Sequence, residues 1–259
     1  MRVAALYDIH GNLPALEAVL DEVRRADVDA IVVGGDVVLG PMPHETLRRL
    51  LDLDIPTAFI HGNCDLAVLA QLATTDEDQV SYWGTPSGDR PPESVRQIFR
   101  WTAQQLRPDD VSEITGWPKT LRLEISGLGT VLFCHGTPRS ETEVFTRLTP
   151  EARLLPVLDG VGASVIICGH THMQFDRIVG ETRVVNAGSV GSPFGEPGAY
   201  WVLLGPDVRL QRTSYDLARA ADRIRATASP EAQSFAAHSV LHPPTEAEKL
   251  EEMGTLELK

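Results

Sequence analysis

Seven side chains with metal-binding chemistry recur at one kind of position in this sequence. Asp8, His10, Asp36, Asn63, His135, His170 and His172 each lie just beyond a short apolar run. Val3–Tyr7 leads into Asp8-Ile9-His10-Gly11-Asn12, and Ala30–Val33 into Gly34-Gly35-Asp36. Thr57–Ile60 leads into His61-Gly62-Asn63, and Thr130–Cys134 into His135-Gly136. Ser164–Cys168 leads into Gly169-His170-Thr171-His172. Singly, each has an ordinary explanation. An Asp after a strand caps a turn, and a lone His there is commonly satisfied by backbone. Four imidazoles and two carboxylates after five such runs are different, because no apolar core requires them at one edge.

Two Asp, four His and one Asn offer only oxygen and nitrogen donors, a set suited to divalent Mn, Fe, Co, Ni or Zn. A structural zinc takes four ligands. Seven donors suit two ions that share a bridge. Two divalent ions ~3.5 Å apart repel by roughly 19 kcal/mol at an effective dielectric of about 20. A bridging carboxylate and a bridging hydroxide offset that repulsion. The site then keeps a charge of about +1, which attracts a phosphate oxyanion and favours ionised water near neutral pH.

The elements that must position these groups read as buried strands and crossover helices. Continuous apolar runs of this length suit strands covered on both faces, and ligands of open α/β sheets bind beyond the carboxyl ends of the strands. Leu13, Leu16, Val19, Leu20 and Val23 form one helical stripe, with Asn12 as N-cap and Pro14 in the first turn. Later strands pair as antiparallel hairpins: Leu121–Ile125 turning at Ser126–Gly129, Phe175–Val179 with Arg183–Val185, and Ala199–Leu204 with Val208–Thr213. A mixed pair of sheets with helices outside fits this order. Gln71–Pro118 interrupts the strands with a Gly/Pro-rich stretch, Trp83, Trp101 and Trp117, and a helical pattern from Glu93 to Leu106. A cap over the site and an insertion with its own small core are both open. Leu217–Ala228 reads as helix. Beyond Pro230 a packed arm, a dimer contact and a disordered tail all remain open.

Composition limits the alternatives. The chain has 259 residues and a net charge of −13, which argues against extended nucleic acid as a partner. No apolar run is long enough to span a membrane. Three scattered cysteines, Cys64, Cys134 and Cys168, suit a reducing, cytoplasmic setting.

In order, Asp8-x-His10, Gly35-Asp36, Gly62-Asn63-x-Asp65, His135-Gly136 and Gly169-His170-x-His172 resemble the five motifs of the calcineurin-like metallophosphoesterases. The spacings are 28 residues from Asp8 to Asp36, 27 to Asn63, 72 to His135 and 35 to His170. The flanking Cys134–Arg139 and Asn186–Gly191 are similar to the small prokaryotic phosphodiesterase branch. The resemblance implies an α/β fold, a four-layer α/β/β/α sandwich of two mixed sheets with a helical insertion. Residues 1–215 would form the metallophosphoesterase domain, 71–118 a helical cap insertion, and 216–259 a C-terminal helix and tail. It implies two divalent metal ions, foremost Mn, with Fe, Zn, Ni or Co as alternatives. One would be held by Asp8, His10, Asp36 and His172, the other by Asp36, Asn63, His135 and His170. Attack of a metal-bridging hydroxide on a phosphodiester or small phosphorylated metabolite would follow. The alternatives are a dinucleoside polyphosphate hydrolase and a non-catalytic scaffold on the same fold.

The sequence departs from the family at one position. Many members carry His after the motif Asn, whereas this chain has Cys64. A thiol donates hydrogen bonds weakly and lacks a pKa near neutrality, so esters with good leaving groups are expected to turn over best. Cys64 as a small loop residue is the ordinary alternative. Asp36, His135 and Cys64 are the candidate catalytic positions. Asn12, Arg139 and His44 are candidates for binding substrate. A helix cap for Asn12 and a surface ion pair for Arg139 are the structural alternatives. His44 and His61 are candidates to replace the missing histidine.

Overall fold

A computed structural model of the chain describes residues 1–73, 91–256 and 258. Trp83 and the Gly84–Gly88 stretch lie outside the described residues. Two five-stranded mixed sheets stack face to face. The first has β1 (Val3–Leu6) at its centre, flanked in parallel by β2 (Ala30–Val33) and then β3 (Thr57–Phe59). On its other side run the antiparallel strands β9 (Ala199–Leu204) and β10 (Val208–Thr213). The second sheet has the order β4 (Thr120–Ile125), β5 (Gly129–Cys134), β6 (Val165–Cys168), β8 (Thr182–Asn186), β7 (Phe175–Val179). Within it β5, β6 and β8 are parallel, and the two edge strands close antiparallel hairpins.

Strand periodicity explains the layers. Successive side chains point to opposite faces, and here both faces are buried. Val3, Ala5 and Tyr7 join Val131, Phe133, Val165 and Ile167 in the core between the sheets. Ala4 and Leu6 point outward, beneath the stripe Leu16, Val19, Leu20 and Val23 of α1 (Leu13–Arg25). On the far side, Leu132, Ile166 and Val184 pack against Leu154, Val157 and Leu158 of α6 (Glu151–Leu158). The architecture is the α/β/β/α sandwich of mixed sheets expected from the sequence. Tyr7 ties the sheets together: its hydroxyl donates to the Ile167 carbonyl at 3.0 Å in full burial.

The remaining helices cover the first sheet and one end of the molecule. α2 (Pro43–Leu51) and α3 (Asn63–Ala73) follow β2 and β3, while α4 (Glu93–Gln105) and α5 (Pro108–Thr115) lie in the insertion. Phe99 and Ala103 of α4 enter the same core as Val68 of α3. Trp117 stacks on Phe59, ring centroids 4.9 Å apart. After β10 the chain forms α7 (Leu217–Arg225), α8 (Ala232–Phe235), a π-helical turn at Ala236–Leu241, and α9 (Glu246–Gly254). Ala221, Ile224, Phe235, Ala236 and Val240 give this C-terminal segment a small core of its own. No helix among the described residues is long and apolar enough to cross a membrane.

Candidate metal centre

The strand ends deliver their polar residues to one edge of the sandwich through strained backbone. Asp8, His10, Asp36, His170 and His172 all have φ between 49° and 65°, a left-handed conformation uncommon for non-glycine residues and often found where function demands it. Glycine is required beside them. A Cβ on Gly62 would lie 2.1 Å from Asp36 Oδ1, and one on Gly169 would lie 2.4 Å from Asp8 Oδ2. The Gly62-Asn63 and Gly169-His170 pairs thus record how closely backbone passes behind the two carboxylates.

Each carboxylate is held by one oxygen and presents the other. Asp8 Oδ2 accepts from His170 N–H at 2.9 Å, and Asp36 Oδ1 from Cys64 N–H at 2.8 Å. The presented oxygens meet imidazoles. Asp8 Oδ1 lies 3.3 Å from His172 Nε2 and 3.8 Å from His135 Nε2. Asp36 Oδ2 lies 3.3 Å from His135 Nε2 and 3.9 Å from His10 Nε2. Asp8 Oδ1 is buried and makes no hydrogen bond among the described residues.

Three imidazoles are aimed by backbone carbonyls. Nδ1–H of His10 donates to Leu39 O at 3.1 Å, that of His135 to Gly34 O at 2.8 Å, and that of His172 to Ser192 O at 2.6 Å. The second nitrogen, Nε2, is thereby turned inward, the arrangement of a metal-ligating histidine. His10 Nε2 and His172 Nε2 are 3.1 Å apart, and His135 Nε2 is 3.0 Å from Asn63 Oδ1. His170 lies edge-on to His135, ring centroids 5.1 Å apart. Two groups of donor atoms result, Asp8 with His10 and His172, and Asp36 with His135 and His170, each within 4.8 Å. A third grouping joins His10, Asp36 and Cys64.

The electrostatics mark a site built for cations. Burial opposes ionisation of Asp8 and Asp36, but their imidazole neighbours outweigh it and hold both carboxyls below their usual range. Burial also opposes charge on His135, yet Asp36 and Asp8 push it up to about 10. His172 is raised by Asp8 against the same penalty. His10 and His170 move the other way: burial and a charged histidine neighbour lower both, His170 to about 4. The two carboxylates thus draw positive charge onto neighbouring imidazoles at the place where a divalent ion would sit.

Sequence reasoning overlooked the organiser of this loop cluster, Asp65. Its Oδ2 accepts from Asp36 N–H at 2.8 Å and Gly62 N–H at 3.0 Å. Its Oδ1 accepts from Val37 N–H at 2.9 Å and Val38 N–H at 3.2 Å. Burial and the nearby Asp36 push its carboxyl up to about 7, against the pull of these donors. The Gly-Asn-x-Asp motif contained it, but one acidic residue in the first turn of α3 reads equally as a helix-end charge.

The other candidates occupy varied places. Cys64 is buried, and burial beside Asp36 keeps its thiol undissociated, well above the usual range. Asn12 is fully buried and caps α1: Oδ1 accepts from Ala15 N–H at 3.2 Å, while Nδ2 donates to Gly191 O at 2.8 Å. Arg139 is half-exposed and forks onto Glu143, Nε to Oε1 at 2.8 Å. His44 Nδ1 pairs with the buried Asp110 Oδ2 at 2.7 Å, and Arg48 holds the other oxygen. This network ties α2 to α5 in the insertion. His61 is partly buried near Glu141 and His135, and burial lowers its pKa. All three cysteines are free and buried.

Residues 1–205 match the family model of the calcineurin-like phosphoesterase superfamily domain. The chain belongs to that superfamily. An uncharacterised protein of Methanocaldococcus jannaschii, MJ0912, is 25% identical over 251 residues, covering 88% of this chain and 94% of the relative. A metallophosphoesterase from Sphaerobacter thermophilus is 25% identical, with a TM-score of 0.69 over 93% of this chain and 99% of its own. The hypothetical protein PH1004 of Pyrococcus horikoshii has the same fold, with a TM-score of 0.77 at 20% identity, covering 94% and 99%. Membership in this phosphoesterase superfamily implies divalent metal ions and a phosphorylated substrate. The donor clusters are the part of this chain that suits such ions.

Proposed function

We propose that this chain is a dimetal phosphoesterase that hydrolyses phosphodiesters or small phosphorylated metabolites. The observation that carries this reading is the convergence of inward-turned Nε2 atoms on the presented oxygens of Asp8 and Asp36. Asp8, His10, Asp36 and His172 would hold one divalent ion, and Asp36, Asn63, His135 and His170 the second. Divalent ions bound there would supply Lewis-acid stabilisation of phosphoryl charge and lower the pKa of water. Mn is the foremost candidate ion, with Fe, Zn, Ni or Co as alternatives, because an N/O donor set follows metal availability as much as affinity.

The chain's own contribution is orientation. Backbone carbonyls fix the tautomers of His10, His135 and His172, and Asp65 holds the loop that carries Asp36 beside the one that carries Asn63. Asp36 would be shared between the two ions, and His135 stands between both carboxylates. The undissociated Cys64 is a weak hydrogen-bond donor where an imidazole would serve better, so the leaving group receives little help. Residues 1–215 act as the hydrolase domain, 71–118 as a cap insertion and 216–259 as an appended segment. The net charge of −13 disfavours extended nucleic acid. A complete donor set disfavours a non-catalytic scaffold.

The test is hydrolysis of bis-p-nitrophenyl phosphate and p-nitrophenyl phosphate by metal-stripped protein, with and without added Mn²⁺. Turnover that returns only with metal supports the reading, and the diester-to-monoester ratio sets the substrate class. No turnover with any divalent metal would overturn it.

A further inference from the structure

Beside His10 and His172 lies a cavity of about 270 Å³ that the metal chemistry does not use. Its walls come from three distant parts of the chain. Leu39 belongs to the loop after Asp36, Ile98 and Phe99 to α4 of the insertion, and Phe235 to α8 of the C-terminal segment. One acidic side chain, Glu231, joins these apolar walls. Its backbone is engaged, N–H with Ser229 Oγ and carbonyl with Phe235 N–H. Its carboxyl makes no hydrogen bond or ion pair with any described residue, and burial pushes it up to about 7. Glu231 is partly buried, so its carboxyl faces the cavity as an acceptor that a ligand's donor can engage in place of water.

The rim fixes the orientation of the cavity toward the metal centre. Ser239, in the π-helical turn, accepts from Ser192 Oγ at 2.9 Å, and the carbonyl of Ser192 aims His172. Wide π turns are frequent at functional sites. The cavity is slightly smaller than a typical pocket for a whole drug-sized ligand, about 300–1,000 Å³. It suits one ring system rather than an oligomer.

We propose that this cavity is the specificity pocket for the organic ester group of the substrate. Its occupant is a heteroaromatic ring bearing an N–H donor, with Glu231 as the acceptor. This rests on the phosphoesterase reading and deepens it. Apolar walls with two phenylalanines favour the ring's faces, and the carboxyl selects its amine edge. Helix α4 and the C-terminal segment then share one task, walling the pocket.

The test uses adenosine and purine riboside, which lacks the exocyclic amine, as probes of binding to metal-loaded protein by calorimetry. Wild type is expected to prefer adenosine by about fivefold, the usual worth of one hydrogen bond. Glu231→Leu should bind both alike, and Ile98→Trp, which fills the cavity, should weaken both. Equal binding in wild type, a preference that survives Glu231→Leu, or no binding of either probe would overturn the proposal. A second arm compares adenosine 5′-(p-nitrophenyl) phosphate with methyl p-nitrophenyl phosphate, which share a leaving group. Wild type should favour the adenosine ester through KM, and Glu231→Leu should reduce that preference. Equal kcat/KM for the two esters in wild type would also overturn the pocket. Binding intact with neither ester hydrolysed would contradict the phosphoesterase reading and leave the ring pocket supported.

Discussion

His10 Nε2 and His172 Nε2 face each other at 3.1 Å, while the Nδ1–H of each ring donates to a backbone carbonyl. In two neutral rings so tied, both inward nitrogens carry lone pairs. Bare lone pairs at this distance repel. Something positive must lie against them, either a proton or a cation. Asp8 raises the pKa of His172 and so favours a proton there, and the clustered carboxylates suit a divalent ion in its place.

Metal loading should therefore release protons. His135 is pushed up to about 10, so it carries a proton at pH 7 in the metal-free protein. A metal ligand must present a neutral imidazole. Loading displaces that proton, and apparent metal affinity should rise with pH below about 10. Calorimetry in two buffers of different ionisation enthalpy measures the release directly. About one proton or more per chain is expected at pH 7, and buffer-independent heats would contradict the assignment.

The stability of the metal-free protein should follow the same group with the opposite sense. A histidine whose folded pKa lies above its unfolded value near 6.5 stabilises the fold most below that value. Its contribution is lost as pH rises toward about 10. Thermal unfolding of metal-stripped protein should show this loss between pH 6.5 and 10, and His135→Gln should flatten that part of the profile.

Asp65→Asn should damage the centre without touching a metal donor. The amide replaces an acceptor oxygen with an NH₂ group that confronts backbone N–H donors of Gly62 and Asp36 or of Val37 and Val38. Leaving such buried groups unmatched costs about 1–3 kcal/mol each. A clear drop in melting temperature and weaker metal binding are expected. Wild-type stability with full metal occupancy would show that Asp65 does not organise these loops.

Gly62→Ala should separate metal loss from global unfolding. The added methyl would fall 2.1 Å from Asp36 Oδ1, so the carboxylate must move. Metal content by elemental analysis should fall sharply while circular dichroism keeps the α/β signature. Full metal content would mean that Asp36 relaxes without consequence.

Tyr7→Phe tests the joint between sheets rather than the site. It removes one buried hydroxyl that donates to Ile167 O at 3.0 Å. A loss of about 1 kcal/mol in unfolding free energy is expected, with metal binding retained. No change in stability would show that this bond is worth nothing in the folded state.

How much of this was legible in the sequence varies with the range of the interaction. The strands were legible because Val3–Leu6 and Val165–Cys168 are apolar on both faces, and the hairpins because Leu121, Leu123 and Ile125 alternate with charged residues. Strand β3 is marginal: Thr57–Phe59 is only partly buried, and it is identifiable chiefly by the Gly62-Asn63 pair just beyond it. The donor residues stood out because metal chemistry restricts residue type, and the left-handed turns restrict their neighbours to glycine. Asp65 did not stand out, since its work is done on backbone N–H groups that a sequence does not display. Glu231 and Phe235 were less visible still. They meet His10 across more than two hundred residues, through packing of a segment whose local pattern was weak.

The most direct test of the dimetal claim is metal stoichiometry. Elemental analysis of Mn-loaded wild type, Asp36→Asn and Asn63→Ala should be done on one preparation series. Two ions per wild-type chain, severe loss of both in Asp36→Asn, and loss of mainly one in Asn63→Ala are predicted. A wild type that holds one ion or fewer, or an Asn63→Ala variant that loses both equally, would contradict a centre built around a shared Asp36.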